Sequence, residues 1–212
     1  MNLKEKKQKP WLTLNRIAGL TDAMFAIVMT LLILSLDAPE QYHIKDIIHL
    51  KFFLTKQWHV LYIYVISFLI LAKFWIDHHS QFTYLKATNL THLWLNIIFL
   101  MFVALLPFTS SLSGDFPQYW LAQTCFHINM FLISITFVIT WNYAFFNRRL
   151  TEDYISRDLI KFSNLFFWVT PVISIICLIL AIFIPYYSSL PYLLIPIINR
   201  LLKTKFKKFL KK

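Results

Sequence analysis

Residues Asn15–Leu36 read NRIAGLTDAMFAIVMTLLILSL. The second residue is an arginine, one aspartate follows at position 22, and no further charge appears until Asp37. About 20 predominantly apolar residues suffice for a helix to cross the hydrocarbon core of a bilayer. An ionisable side chain inside such a span is costly, and marks an anchoring or functional position. This segment is therefore expected to be a membrane helix that lines something, with the other helices holding it in place.

The composition agrees. Of 212 residues, 58% are hydrophobic, 18% aromatic and only 15% charged, with Gly at two positions. Ordinary soluble domains carry about 25% charged residues and roughly 45–50% apolar ones, so this chain has too much apolar surface to hide in one core. The basic start, Lys4 to Lys9, is followed by no small-residue cleavage site, and the first helix is read as retained. The net charge of +11 flanks the apolar runs instead of forming one basic face, so nucleic acid is not an expected partner. Cys125 and Cys177 lie inside apolar runs and read as packing residues.

Six spans follow from the apolar runs: about 11–36, 58–75, 93–112, 119–146, 162–184 and 191–202, then a basic tail over 203–212. The 38 residues between Lys161 and Arg200 are uncharged and too long for one crossing, and Pro185 and Pro191 bracket the turn that divides them. If the termini and the 73–92 and 147–161 connections share one side, that side holds 18 of the 21 Lys and Arg residues. The positive-inside rule then puts both termini in the cytoplasm of a multi-pass plasma-membrane protein. In the 37–56 connection, IKDIIHLKFF predicts a short amphipathic helix on the membrane surface. The tail, RLLKTKFKKFLKK, is expected to lie on the anionic inner leaflet.

On the first helix, Arg16, Leu20, Ala23, Ile27, Thr30 and Leu34 recur at steps of 4 and 3, forming one stripe. Such a stripe faces either partner helices or a shared axis. Asp22 sits two residues from Leu20, about 200° round the helix, so it points away from that stripe and needs donors from neighbouring helices. At the same depth the second span brings His78 and His79, and the third brings Trp94 and Asn96. His78 or His79 is the expected partner of Asp22, with Asn96 or Trp94 completing the network. Zinc on Asp77, His78, His79 and His92 is disfavoured, because adjacent histidines point about 100° apart on a helix. The sequence holds no nucleophile turn, no glycine-rich phosphate loop and no paired intramembrane carboxylates, so neither an enzyme nor a cofactor protein is expected.

The run Arg16, Leu20-Thr21-Asp22, Ala26-Ile27, Thr30-Leu31-Leu32 resembles the signature first helix of the transmembrane protein 175 family. FWIDHH (residues 74–79) and LWLNIIFLMFVALLPFTSSL (93–112) are similar to that family's second and third helices. The family motif usually reads Phe-Ser-Asp where this chain has Leu20-Thr21-Asp22. The resemblance covers about the first 112 residues. It implies an all-α homotetramer of six-helix subunits, the first helix lining a central potassium-conducting pore without a backbone-carbonyl filter. By position, the constriction it implies falls on Ile27, Thr30 and Leu34, with Ala23 on the same face. Potassium would be the conducted ion and not a resident cofactor. Two other readings stand beside it: a secondary transporter or proton-coupled permease using Asp22 and His78/His79, and a non-conducting membrane scaffold.

Overall fold

Among the described residues, five segments of the computed structural model are helical, long and apolar enough to cross a membrane: Leu14–Ser35, Trp58–Thr83, Leu90–Asp115, Trp120–Phe145 and Asp158–Phe183. The structure describes residues 13–36, 38, 46–146, 150–151 and 155–210, with the backbone alone at 157 and 207–210. Residues 1–12, where the first span was expected to begin, and 211–212 of the tail lie outside that set. In chain order the helices are α1 (Leu14–Leu31, continued by a 3-10 turn, Leu32–Ser35), α2 (Ile47–Lys56), α3 (Trp58–Thr83), α4 (Leu90–Ala104), α5 (Leu106–Asp115), α6 (Trp120–Phe145), α7 (Arg157–Phe183) and α8 (Ile195–Leu210). The fold is all-α and polytopic.

Local chemistry explains the boundaries. Asp46, Asn89 and Ser156 each stand just before a helix and accept backbone N–H groups of its first turn, at 2.9 to 3.1 Å. These caps satisfy donors that a helix start leaves orphaned. The α2 start lies outside the spans, and there the backbone N–H of His49 holds the Asp46 carboxyl below the usual carboxylate range. Pro107 lacks an N–H and falls in the first turn of α5, so the expected 93–112 span is two helices meeting at Leu105. Pro171 is carried inside α7 without ending it.

The end of the chain departs from a simple crossing. After α7, two 3-10 turns (Pro185–Tyr187 and Leu190–Leu194) carry the backbone partway back along the bundle before α8 begins. The Tyr192 hydroxyl donates to Ser174 Oγ at 3.3 Å, nine residues short of the end of α7. Further along α8, the Phe206 ring stacks on Phe162, with centroids 4.0 Å apart, near the start of α7. The segment expected at about 191–202 thus retraces α7 as a turn plus a helix, and α8 extends to Leu210.

α6 and α7 form the most extensive helix pair, and α6 also holds α4 and α5. α1 packs on α3, α4 and the start of α5. A relay of rings ties these layers together: Phe25 (α1) to Phe99 (α4), Phe99 to Phe74 (α3) and Phe137 (α6), and Phe137 to Phe167 (α7), with centroids 5.0 to 6.2 Å apart. Aromatic pairs in these tilted and edge-on geometries add about 0.5–1.5 kcal/mol each beyond area burial. Gly114 closes the far end of the bundle: a Cβ there would lie 3.1 Å from the Val60 Cα, so an alanine would fit only with a shift of a few tenths of an ångström between α5 and α3.

Candidate functional site on the first helix

α1 has one packed back and one bare front. Ile17, Thr21, Phe25, Val28 and Leu32 are buried against the bundle. Arg16, Leu20, Ala23, Ile27, Thr30 and Leu34 are all exposed in the single chain, Ile27 at 53% and Leu34 at 71%. The stripe predicted from spacing is therefore one continuous surface. The Thr30 hydroxyl donates to its own helix, to the Ile27 carbonyl oxygen at 2.7 Å. With its hydrogen used there, its oxygen lone pairs remain available toward the front.

The back of α1 is fixed by a buried polar chain. Asn96 Nδ2 donates to Thr21 Oγ1 at 3.0 Å, and Asn96 Oδ1 lies 2.9 Å from His78 Nε2, which donates to it. All three side chains are 3% exposed or less. His78 is also clamped between the rings of Phe82 and Phe99, at 4.3 and 6.1 Å, both stacked. Each polar group in a low-dielectric interior must find a partner, so this chain sets the rotation of α1 about its own axis as well as its depth.

Asp22 is placed differently from the expectation. It is exposed in the single chain, on the flank of α1, and its donor is the indole Nε1 of Trp75 at 2.9 Å. His78 serves Asn96 instead, and the Asn96 network meets Thr21, the residue before Asp22. His79 is exposed, its ring 6.4 Å from Trp75, and Trp94 is 57% exposed, away from the network. The physical reason is azimuth: consecutive residues on a helix point about 100° apart, so Thr21 and Asp22 cannot share a partner set. Asp22 and His78 thus make their hydrogen bonds with different partners, Trp75 and Asn96.

Two features carried no obvious signal. Trp75 sits one turn before the histidines in the FWIDHH run and reads as an interfacial aromatic. Lys73 and Asp77 form a largely buried i,i+4 ion pair, Nζ to Oδ2 2.6 Å. Among the described residues no three His, Cys, Asp or Glu side chains converge as a metal site would need. His92 is held by Thr88 at 3.0 Å. Cys177 is buried and Cys125 half-buried, both free thiols.

The bundle thus fixes the rotation of α1 through its back and leaves the Arg16–Leu34 stripe exposed in the single chain. Residues 16–107 match the family described as "Endosomal/lysosomal potassium channel TMEM175". A potassium channel of Streptomyces collinus is 28% identical over 130 residues, 59% of this chain and 62% of that protein. The endosomal/lysosomal proton channel TMEM175 of Mus musculus is 28% identical over 188 residues, 85% of this chain. The chain spans less than two thirds of either relative, only 36% of the mouse protein. The crystal structure of a lysosomal potassium-selective channel TMEM175 homologue from Chamaesiphon minutus superposes with TM-score 0.76 at 21% identity, covering 89% of this chain and 96% of that one. The fold is thus that of a TMEM175 homologue.

Proposed function

We propose that the chain is one subunit of a passive monovalent-cation channel that conducts potassium, with four copies setting α1 round a shared axis. The observation that carries this reading is the contrast on α1: its back is pinned by Thr21–Asn96–His78, while Arg16, Leu20, Ala23, Ile27, Thr30 and Leu34 stand exposed on its front. Four copies of that front form a narrow apolar passage. A ring of Ile27 is a dewetting constriction, and one turn on, a ring of Thr30 oxygens offers acceptors to a partly dehydrated cation. Leu34 narrows the passage toward the far end, and Ala23 widens it toward the Arg16 mouth. The name of the Streptomyces relative supports potassium as the cargo.

Trp75–Asp22 and the buried network act as positioning contacts, and His79 and Trp94 stand on the rim. On this reading the subunit conducts an ion and catalyses no reaction, and it needs no resident cofactor. The distribution of Lys and Arg supports a plasma-membrane subunit with both termini cytoplasmic. The tail lies against the anionic leaflet, each cation there contributing about 1 kcal/mol.

Flux from the purified chain in liposomes tests the reading, with potassium, sodium and proton gradients in separate arms. The proton arm matters because the mouse relative is named a proton channel. The proposal predicts flux linear in driving force in the potassium arm. Saturating, slow flux would indicate a carrier, and no flux a scaffold.

A further inference from the structure

A groove of about 740 Å³ runs between α3 and α8, with α7 as its floor. No residue of α1 lines it, so it is separate from the exposed face of α1. Volumes in this range hold small ligands and lipid segments. Both bounding helices run in the same direction, and both change character at the same depth. On α3 the lining goes from Ile66, Leu69 and Ile70 to Lys73 and Asp77. On α8 it goes from Ile195 and Pro196 to Arg200 and Lys203.

The cationic end is organised. The Lys73 ammonium is paired with Asp77, and the ammonium groups of Lys73 and Lys203 lie 5.2 and 5.1 Å from the centroid of one ring, Phe166. Three cations against one carboxylate leave an excess of positive charge at the edge of an apolar trough. Asn199 lines the same groove, is 7% exposed, and its carboxamide oxygen has no hydrogen-bond partner in the chain.

We propose that this groove is a binding site for one anionic phospholipid of the leaflet at that end. An acyl chain lies along Ile66, Leu69, Ile195 and Pro196. The phosphate sits against Arg200 and Lys203, with Lys73 behind them, and a headgroup hydroxyl of the lipid donates to the Asn199 carboxamide oxygen. Basic pockets between membrane helices are suited to anionic headgroups in this way. A zwitterionic lipid fills the trough equally well but brings its own cation to a site already positive. The site differs from adsorption of the tail, because Lys73 and Lys203 are held by ring and carboxylate contacts and adjoin a cavity.

The test weighs the intact full-length protein in mild detergent by native mass spectrometry, with phosphatidylglycerol or phosphatidylcholine added at equal ratio. The expected result is preferential retention of phosphatidylglycerol, one per subunit. The double variant Arg200→Gln/Lys203→Gln is expected to weaken it about tenfold or more, from the roughly 1 kcal/mol that each cation contributes. Lys207→Gln/Lys208→Gln removes the same charge from the tail and should retain wild-type binding. Leu69→Trp fills the groove without changing charge and should also lose the lipid, which keeps the test decisive if the double variant folds poorly. Equal retention of the two lipids, or equal losses from groove and tail variants, would overturn the site. So would groove variants that change the number of subunits with lipid retention untouched, since the groove would then be a contact between copies.

Discussion

The indole of Trp75 on α3 donates to the carboxylate of Asp22 on α1 at 2.9 Å, while the adjacent Thr21 is held through Asn96 by α4. Two successive residues of the first helix are therefore tied to two different helices, and together these contacts fix how α1 is rotated. If the front of α1 lines a pore, its aperture depends on that rotation.

The first prediction concerns this outer tie. Asp22→Ala and Trp75→Phe should each reduce the fraction of assembled tetramer or shift gating, and the double variant should be no worse than either. A hydrogen bond to a charged group at a partly exposed site contributes about 1 kcal/mol, so folding of the subunit itself should survive. Tetramer fraction, read by native mass spectrometry, checks this. Additive losses would show that the two side chains act independently.

The buried tie should matter more to stability. Asn96→Leu strands Thr21 and His78, each left without its partner in the interior, at about 1–3 kcal/mol apiece. A lowered thermal midpoint in detergent is the expected result, and Thr21→Val in the same background should recover part of it by removing one stranded group. An unchanged midpoint would mean that the network contributes little to holding the bundle.

Packing at the far end gives a sharper contrast between the two glycines. Gly114→Ala forces a Cβ to within 3.1 Å of the Val60 backbone and should cost about 1–3 kcal/mol. Gly19→Ala meets nothing within 4 Å in the single chain and should leave subunit stability unharmed, the alanine being the better helix former by up to about 1 kcal/mol. Thermal unfolding of both variants separates the cases. Should Gly19→Ala nonetheless abolish assembly, that face of α1 touches a neighbouring copy.

The cap of α2 gives a pH dependence with a definite sign. The Asp46 carboxyl is held below its usual range by the N–H of His49, so the cap's contribution is complete above the ordinary carboxylate pKa. It is lost only as pH falls through the depressed value. Amide exchange in α2 should accordingly be as slow at pH 5 as at pH 7, after correction for intrinsic rates. Progressive loss of protection across that interval would contradict the cap geometry.

Much of this architecture could be read along the chain. The apolar runs placed six spans. Five are found as long apolar helices, and the sixth, at 191–202, is a turn plus the start of α8. The steps of 4 and 3 from Arg16 to Leu34 picked out a face that is exposed in the single chain. What the sequence conveys poorly is azimuth between helices. Depth alone put His78, His79, Trp94 and Asn96 beside Asp22, but a rotation of about 100° per residue decides which of Thr21 and Asp22 meets them. Thr21 does, and Trp75 becomes the partner of Asp22. The groove behind α3 was hidden for a related reason. Lys73, Asp77 and Lys203 are over 120 positions apart at their extremes, and they meet only because the turns after α7 send α8 back along it. The break at Leu105, by contrast, had its signal in Pro107, which blocks a continuous helix wherever the N–H is needed.

The central claim is that ions pass along the front of α1, narrowest at Ile27. Single-channel recording of the wild-type chain and of Ile27→Asn in planar bilayers under a potassium gradient tests it most directly. The account predicts unitary potassium currents for the wild type. For Ile27→Asn it predicts several-fold larger currents with weaker discrimination against sodium, because a polar ring there holds water. Unitary currents of identical size and selectivity in the two proteins would remove Ile27 from the path, and the absence of unitary currents from the wild type would contradict the channel itself.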